Sequence, residues 1–299
     1  MDDRDILNEL APEAERLLER HLGVSKEWFP HQLIPWERAA KADPRAPWEA
    51  ENHPMDEAVR SALFLNLLTE DNLPYYTSKI DRMFGLDHPW NTWNRRWTAE
   101  EGRHSIVIRD YLTVSLAVDP IALERGRMQQ MSHGFHQPIG NVCEGFVYVA
   151  LQELATRISH RNTGKMLADP AGYEVMARVA ADENLHYLFY RDVSTAAVAI
   201  DPSGMVLAME RQVRDFEMPG AGVEGFHSLA KAIAKAGIYD LAIHHDQILV
   251  PVVLRHWGLE SLEGLTPEAE AARDSLMVRI AKIGRVGRRL AERRAEDAA

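Results

Sequence analysis

Two copies of one acid–imidazole pattern mark the chain: Glu70 followed by Glu101-Gly102-Arg103-His104, and Glu153 followed by Glu183-Asn184-Leu185-His186. The isolated Glu precedes its Glu-x-x-His by 31 residues in the first copy and by 30 in the second. Residues three apart share one face of a helix, so each Glu-x-x-His aims a carboxylate and an imidazole at one point. One Glu from each of two helices, with Glu-x-x-His from each of two more, makes a ligand set for two metal ions inside a four-helix bundle. The spacing therefore predicts metal ligands at Glu70, Glu101, His104, Glu153, Glu183 and His186.

The surroundings of the isolated acids support this. Leu63, Leu67 and Glu70 fall on one helical stripe, and Glu153 lies behind Phe146, Val149 and Ala150 in the same way. A carboxylate on an apolar face is unfavourable unless neutralised, paired or bound to metal. Four carboxylates balance two divalent ions, and carboxylate with imidazole suits non-haem iron or manganese. The lone Cys143 leaves no thiolate set for structural zinc. An acid directly precedes each Glu-x-x-His, Glu100 in one copy and Asp182 in the other. Ligating histidines usually donate their second N–H to a carboxylate. In a pseudo-twofold bundle these partners cross over, pairing Asp182 with His104 and Glu100 with His186.

The elements that must position these groups read as helices throughout, so the fold class is all-α. An amphipathic segment from about Asp5 to Leu22 offers Leu7, Leu10, Leu17 and Leu18 to a core, and a Pro- and Trp-rich stretch from Lys26 to Pro54 follows. The ligand helices are expected over about Met55–Phe84, Asn91–Val118, Asn141–Leu167 and Pro170–Ile200. Pro74 has no N–H for the carbonyl of Glu70, so the first of these should loosen beside its own ligand. A connecting helix opens at Asp119-Pro120 and is broken from Gly134 to Gly140, and another opens at Asp201-Pro202 and closes over Pro219–Gly222. Further helices are expected over Val223–Lys235 and Tyr239–Trp257, the latter kinked at Pro251, and a last one opens at Thr266-Pro267. Its Arg-rich end, Lys282 to Arg294, reads as a solvated face. No linker separates the motif copies, which makes 1–299 one domain: 1–54 an N-terminal helix and irregular segment, 55–200 the metal core, 201–299 the C-terminal helices.

Composition excludes several classes. A net charge of −11 opposes general nucleic-acid binding. No apolar run reaches the roughly eighteen residues a membrane span needs. The acidic start, Met1-Asp2-Asp3-Arg4-Asp5, lacks the basic and apolar pattern of a signal peptide, and with the single Cys fits a reducing cytoplasm. Gly220-Ala221-Gly222 lacks the strand-then-helix setting of a dinucleotide-binding loop, so electrons must come from a separate carrier.

Longer blocks around the acids carry a resemblance. Thr69-Glu70-Asp71-Asn72-Leu73-Pro74, Arg96-Trp97-Thr98-Ala99-Glu100-Glu101-Gly102-Arg103-His104, Gln152-Glu153-Leu154-Ala155-Thr156-Arg157-Ile158-Ser159-His160-Arg161-Asn162-Thr163 and Ala181-Asp182-Glu183-Asn184-Leu185-His186 resemble the signature blocks of the soluble acyl-[acyl-carrier-protein] desaturases, closest to the mycobacterial branch. Similarity runs from about Trp28 to past Gly258. The resemblance implies a ferritin-like four-helix bundle core with flanking helices, two iron ions held by the six residues above, and O2 as co-substrate. It implies an acyl carrier protein bearing a fatty acyl chain as substrate, ferredoxin as electron donor and a homodimer. Thr156 matches the family's oxygen-site threonine, Asp182 its acid beside the metal-bound histidine, and Trp28 the surface Trp of a Trp–Asp–His electron route to His104. Asp71-Asn72 and Tyr75-Tyr76 depart from the plant pattern, which leaves chain length and double-bond position open. Gly145, Phe146, Val149 and Tyr76, near the ligands in sequence, are candidates to line an acyl tunnel. Arg16, Arg20 and Lys26, or the Arg-rich last helix, are candidates to dock the acidic carrier.

A ferritin-like iron-binding protein and a desaturase homologue without activity share the ligand set. The signature blocks count against the first, and the complete ligand set against the second.

Overall fold

A computed structural model describes residues 1–41, 46–134, 138–218, 220, 223 and 225–297. The expected loop over Pro219–Gly222 lies outside the described residues except for Gly220, as does part of the Gly134–Gly140 break. Among the described residues every regular element is helical.

The helices are α1 (Asp3–Val24), α2 (Pro30–Leu33), α3 (Glu57–Glu70), α4 (Leu73–Phe84), α5 (Trp90–Ser115), α6 (Pro120–His133), α7 (Val142–Met166), α8 (Pro170–Ile200), α9 (Pro202–Arg214), α10 (Phe226–Lys235), α11 (Leu241–His244) and α12 (Pro267–Asp297). Their starts follow from side-chain caps. Asp56, Asp119, Asn141, Asp169, Asp201 and Asp240 each accept a backbone N–H of the helix they precede, and Pro follows directly in α6, α8 and α9.

Helices α3, α5, α7 and α8 form the central bundle. α7 and α8 pack along their length, and α5 lies against both α3 and α8. Val142 to Leu151 of α7 are buried on every side, as a helix through the middle of a core must be. α1 lays Ile6, Leu10, Ala14, Leu17, Leu18 and His21 against α8, α7 and α5, and so closes one wall of the bundle with its own apolar stripe. Leu7 is only half-buried beside that stripe.

Two expected helices are built differently. The first ligand helix is not continuous from Met55 to Phe84: α3 ends at Glu70, and α4 restarts with Pro74 in its first turn. Asp71 N–H returns to Leu67 O, Asn72 N–H turns to Thr69 O, and Pro74 has no hydrogen to carry the ladder onward. Near Pro251 the helix is not α. α11 runs on as a π-helix over His245–His256, where Trp257 N–H bonds Val252 O, five residues back. The Arg-rich end of α12 is not wholly solvated either, because Arg294 pairs with Asp240 and bonds Ala234 O. Among the described residues no helix is long and apolar enough to cross a membrane.

Candidate metal centre

The six residues expected as ligands meet inside the bundle. Glu70 closes the last turn of α3, Glu101 and His104 lie one turn apart on α5, Glu153 is mid-way along α7, and Glu183 and His186 are one turn apart on α8. None is more than 7% exposed. Ligand atoms of Glu70, Glu101, His104 and Glu183 lie within 4.8 Å of one another, and so do those of Glu101, Glu153, Glu183 and His186. Glu101 and Glu183 belong to both sets. The arrangement is two four-ligand sites with two shared carboxylates, each completed by one imidazole and one terminal Glu.

Both imidazoles turn Nδ1 inward. His104 Nδ1 is 3.4 Å from Glu101, 3.5 Å from Glu183 and 3.7 Å from Glu70. His186 Nδ1 is 2.7 Å from Glu101 and 3.7 Å from Glu153. Yet both Nδ1 atoms, with Glu101 Oε1 and Glu153 Oε2, are buried without a well-formed hydrogen bond. Orphaned lone pairs of carboxylate and imidazole, all aimed at one interior point, suit a pair of hard or borderline divalent ions.

Proton affinities record the same crowding. Burial, then the neighbouring Glu183, pushes the Glu153 carboxyl far above the carboxylate range. Burial and Glu183 likewise raise Glu101. Burial also acts to raise Glu183 and Glu70, but the imidazoles of His104 and His160 beside them hold both carboxyls below their usual range. Burial alone would lower the two inward imidazoles. The carboxylates around them, Glu101 at His104 and Glu100 and Glu101 at His186, raise both instead. Four acids cannot all ionise at this spacing without cations among them, and two divalent ions would replace protons in that role.

The acids expected behind the histidines cross over. His186 Nε2 donates to Glu100 Oε2 at 2.9 Å, while His104 Nε2 lies 3.6 Å from Asp182 Oδ2. Asp182 is more firmly held by others, accepting from Trp28 Nε1 at 2.8 Å, Arg103 at 3.0 Å and Arg178 at 2.6 Å. The Trp28 ring lies nearly parallel to His104 at 6.5 Å. It is not a surface residue, however. At 7% exposure it is covered by the guanidinium groups of Arg103 (4.8 Å) and Arg178 (5.5 Å). Thr156 is buried one turn past Glu153, its hydroxyl donating to the carbonyls of Gln152 and Glu153.

Three side chains join the site that the spacing of acids did not single out. His160 Nε2 donates to Glu70 at 3.0 Å and lies 3.6 Å from Glu183, with its pKa pushed up to about 9: burial acts downward, and those two acids overcome it. Trp97 Nε1 donates to Glu153 at 3.1 Å. His21 reaches Glu100 at 2.8 Å. A signal for His160 existed, since Glu153, Thr156 and His160 fall at i, i+3 and i+7 on one face. Of the tunnel candidates, Tyr76 and Val149 line a small cavity of about 30 Å³ beside Trp97, which Met83 also lines. A Cβ on Gly145 would run into Met83. Phe146 does not belong there, because its ring packs into an aromatic core with Phe84 at 4.9 Å and Trp90 at 5.5 Å.

The fatty acid desaturase family model matches residues 2–299. DesA1 of Mycobacterium tuberculosis, an acyl-[acyl-carrier-protein] desaturase by name, is 41% identical over 286 residues, covering 92% of this chain and 84% of the relative. The chloroplastic stearoyl-[acyl-carrier-protein] 9-desaturase 6 of Arabidopsis thaliana is 33% identical over 247 residues, covering 76% of this chain and 62% of the relative. The X-ray structure of DesA2 from M. tuberculosis shares the fold, with a TM-score of 0.71 at 24% identity over 90% of this chain and 99% of that one. With residues 2–299 matched and its six acids and imidazoles gathered in one bundle, this chain belongs to the fatty acid desaturase family.

Proposed function

We propose that this protein is an oxygen-dependent acyl-[acyl-carrier-protein] desaturase of fatty acid biosynthesis, working in the cytoplasm with two iron ions held by Glu70, Glu101, His104, Glu153, Glu183 and His186. The observation that carries this reading is the pair of four-ligand sets sharing Glu101 and Glu183 in the middle of the bundle. Adjacent methylenes of the acyl chain lose two hydrogens. With two electrons and two protons from outside, one O2 leaves as two waters. When bound, the iron pair supplies the oxygen reduction and the oxidising power that an unactivated methylene requires.

The chain's own residues position and isolate. Asp182 and Glu100 orient the two imidazoles, so that each presents Nδ1 to the site. Thr156 keeps its hydroxyl proton on its own helix, one turn from Glu153, from where a rotation of χ1 delivers it towards the site. Trp28, hydrogen-bonded to Asp182 and stacked on His104, is the route by which electrons from ferredoxin enter.

An unreactive alkyl chain offers no polar handle, so the position of the double bond must be set by an apolar channel. A cavity of about 960 Å³ opens between α9, α10, α11 and α12, with apolar walls that include Phe216, Met218 and Leu290 and a rim carrying Lys231, Lys235, Arg279 and Arg294. Its wall residue Phe216 lies 6.0 Å from Tyr148, which lines the small cavity beside Trp97. The acyl chain enters by the large cavity and ends beside Glu153, and the packed rings of Phe216 and Tyr148 must part to let it through. The inner cavity holds little more than a water's volume, so the flexible Met83 must swing aside to admit it. Arg294 is paired with Asp240, but Lys231, Lys235 and Arg279 remain on the rim and suit the acidic carrier better than Arg16 and Arg20, which pair with Glu13 and Asp192. The working unit is a homodimer.

The test is to incubate iron-loaded protein with acyl-carrier-protein thioesters of several chain lengths, reduced ferredoxin and O2, and to locate the double bond by mass spectrometry. A monounsaturated product from at least one chain length is expected. Saturated products throughout, from a centre that still cycles between its redox states, would remove the enzyme assignment and leave an iron-binding protein.

A further inference from the structure

The outer nitrogens of the two inward-facing imidazoles both lead to the N-terminal arm, but to different residues. On one side His104 faces Asp182, and Asp182 accepts from Trp28. On the other, His186 Nε2 donates to Glu100 Oε2 at 2.9 Å, and the same oxygen accepts His21 Nε2 at 2.8 Å. Glu100 Oε1 is taken by Arg96 at 2.6 Å. His21 projects from α1, is 3% exposed, lies nearly parallel to the His186 ring at 5.9 Å and meets Trp93 edge-on at 5.1 Å.

His186 turns Nδ1 to the metal-site carboxylates, so its proton sits on Nε2 and Glu100 must accept it. Arg96 holds Glu100 Oε1 from the same helix and with a part-exposed side chain, so without His21 the oxygen that faces His186 has that imidazole as its one partner and can shift with it. A second N–H on the same oxygen, supplied from a separate helix, removes that freedom. We propose that His21 is a positioning residue for the ion bound by His186, Glu101, Glu153 and Glu183, acting through Glu100 and leaving the His104 ion untouched. The inference rests on the ligand assignment above. It makes α1 part of the outer wall of one metal position only.

The test uses full-length protein loaded with iron-57, challenged with rising concentrations of a chelator, with retained iron counted and the two positions followed by Mössbauer spectroscopy. His21→Leu keeps the volume against Trp93 and removes the donor, whereas His21→Gln keeps an amide N–H at similar reach. His21→Leu should surrender one iron per chain at a chelator concentration about 10–100-fold lower than the unsubstituted protein needs, the usual effect of losing such an outer partner. The spectrum of the other iron should stay as it was, and His21→Gln should retain both ions.

The proposal is overturned if His21→Leu holds both ions as tightly as before. It is equally overturned if that variant loses both together with a fall in melting temperature, the mark of a packing fault, or if His21→Gln fails as His21→Leu does. Unsubstituted protein that binds no iron overturns the ligand assignment itself, a result distinct from each of these.

Discussion

Glu153 belongs to one ligand set and Glu101 to both, and that difference decides what each substitution does to iron-dependent stability. Without iron, burial and Glu183 favour the protonated Glu153 carboxyl, the form whose shape and neutrality Glu153→Gln reproduces. The iron-free variant should therefore melt close to the unsubstituted protein. An ion that binds only the folded state adds about 4 kcal/mol when present at roughly a thousand times its dissociation constant. An unfolding entropy of about 2.1 cal/mol/K per residue gives roughly 0.6 kcal/mol/K for a chain of 299 residues. Each ion then raises Tm by about 6–7 °C, and the pair by about 13 °C. Anaerobic calorimetry with excess ferrous ion, against chelator, should show the full rise in the unsubstituted protein. Glu153→Gln and Glu70→Gln should each keep about half of it, and Glu101→Gln and Glu183→Gln none. A full rise in Glu153→Gln, or half a rise in Glu101→Gln, would refute the sharing of carboxylates on which the reading of the site depends.

Trp28→Phe removes one of three donors to Asp182, so stability should fall by only about 1 kcal/mol while reduction of the centre by ferredoxin slows markedly. Stopped-flow absorbance follows that step, and an unchanged rate would take Trp28 out of the electron route. Gly145→Val places a side chain against Met83, whose Cε lies 2.7 Å from the added Cβ, and so shortens the inner cavity. Each excluded methylene should lower kcat/KM for the longest accepted chain by roughly 10–200-fold while shorter chains are spared; equal loss at all lengths would place Gly145 outside the channel. Burial lowers the His244 pKa from 6.5 to about 4, so the unfolded chain takes up its proton first as the medium is acidified. That contribution is complete above pH 6.5 and is lost on acidification towards pH 4, to the extent of about 3 kcal/mol. Urea melts across that window should be flatter for His244→Leu than for the unsubstituted protein, and parallel curves would contradict this.

What could be read from the sequence was whatever has a local period. Glu70, Glu101, His104, Glu153, Glu183 and His186 declare themselves because three-residue spacing and an apolar stripe are properties of a single helix. The Asp-Pro starts of α6, α8 and α9 were legible for the same reason. Other features depend on what lies across a helix interface, and no local pattern encodes that. Trp28 reads as a surface residue until Arg103 and Arg178 close over it, and Phe146 reads as a channel wall until Phe84 and Trp90 claim it. His21 lies 79 residues from the carboxylate it serves. The gap at Asp71-Asn72 was foreseen only as a loosening, because Pro74 announces a missing hydrogen bond but not whether neighbouring turns absorb it. The π-helix past Pro251 left no comparable trace.

That gap makes the two halves of the site mechanically unequal, although their sequences match in spacing almost to the residue. Glu153, Glu101 and Glu183 ride on unbroken rods and can shift only if a whole helix shifts, whereas Glu70 stands on the final residue of its own. Arg127 of α6 grips the adjoining Asp71 from outside the bundle, at 2.6 Å, and acts as a tether where the backbone ladder is interrupted. Compliance is thereby concentrated at one carboxylate, and an incoming small molecule would meet least resistance at the ion proposed for Glu70. Loosening the tether, rather than altering any residue that touches metal, is the gentlest way to make that ion leave first.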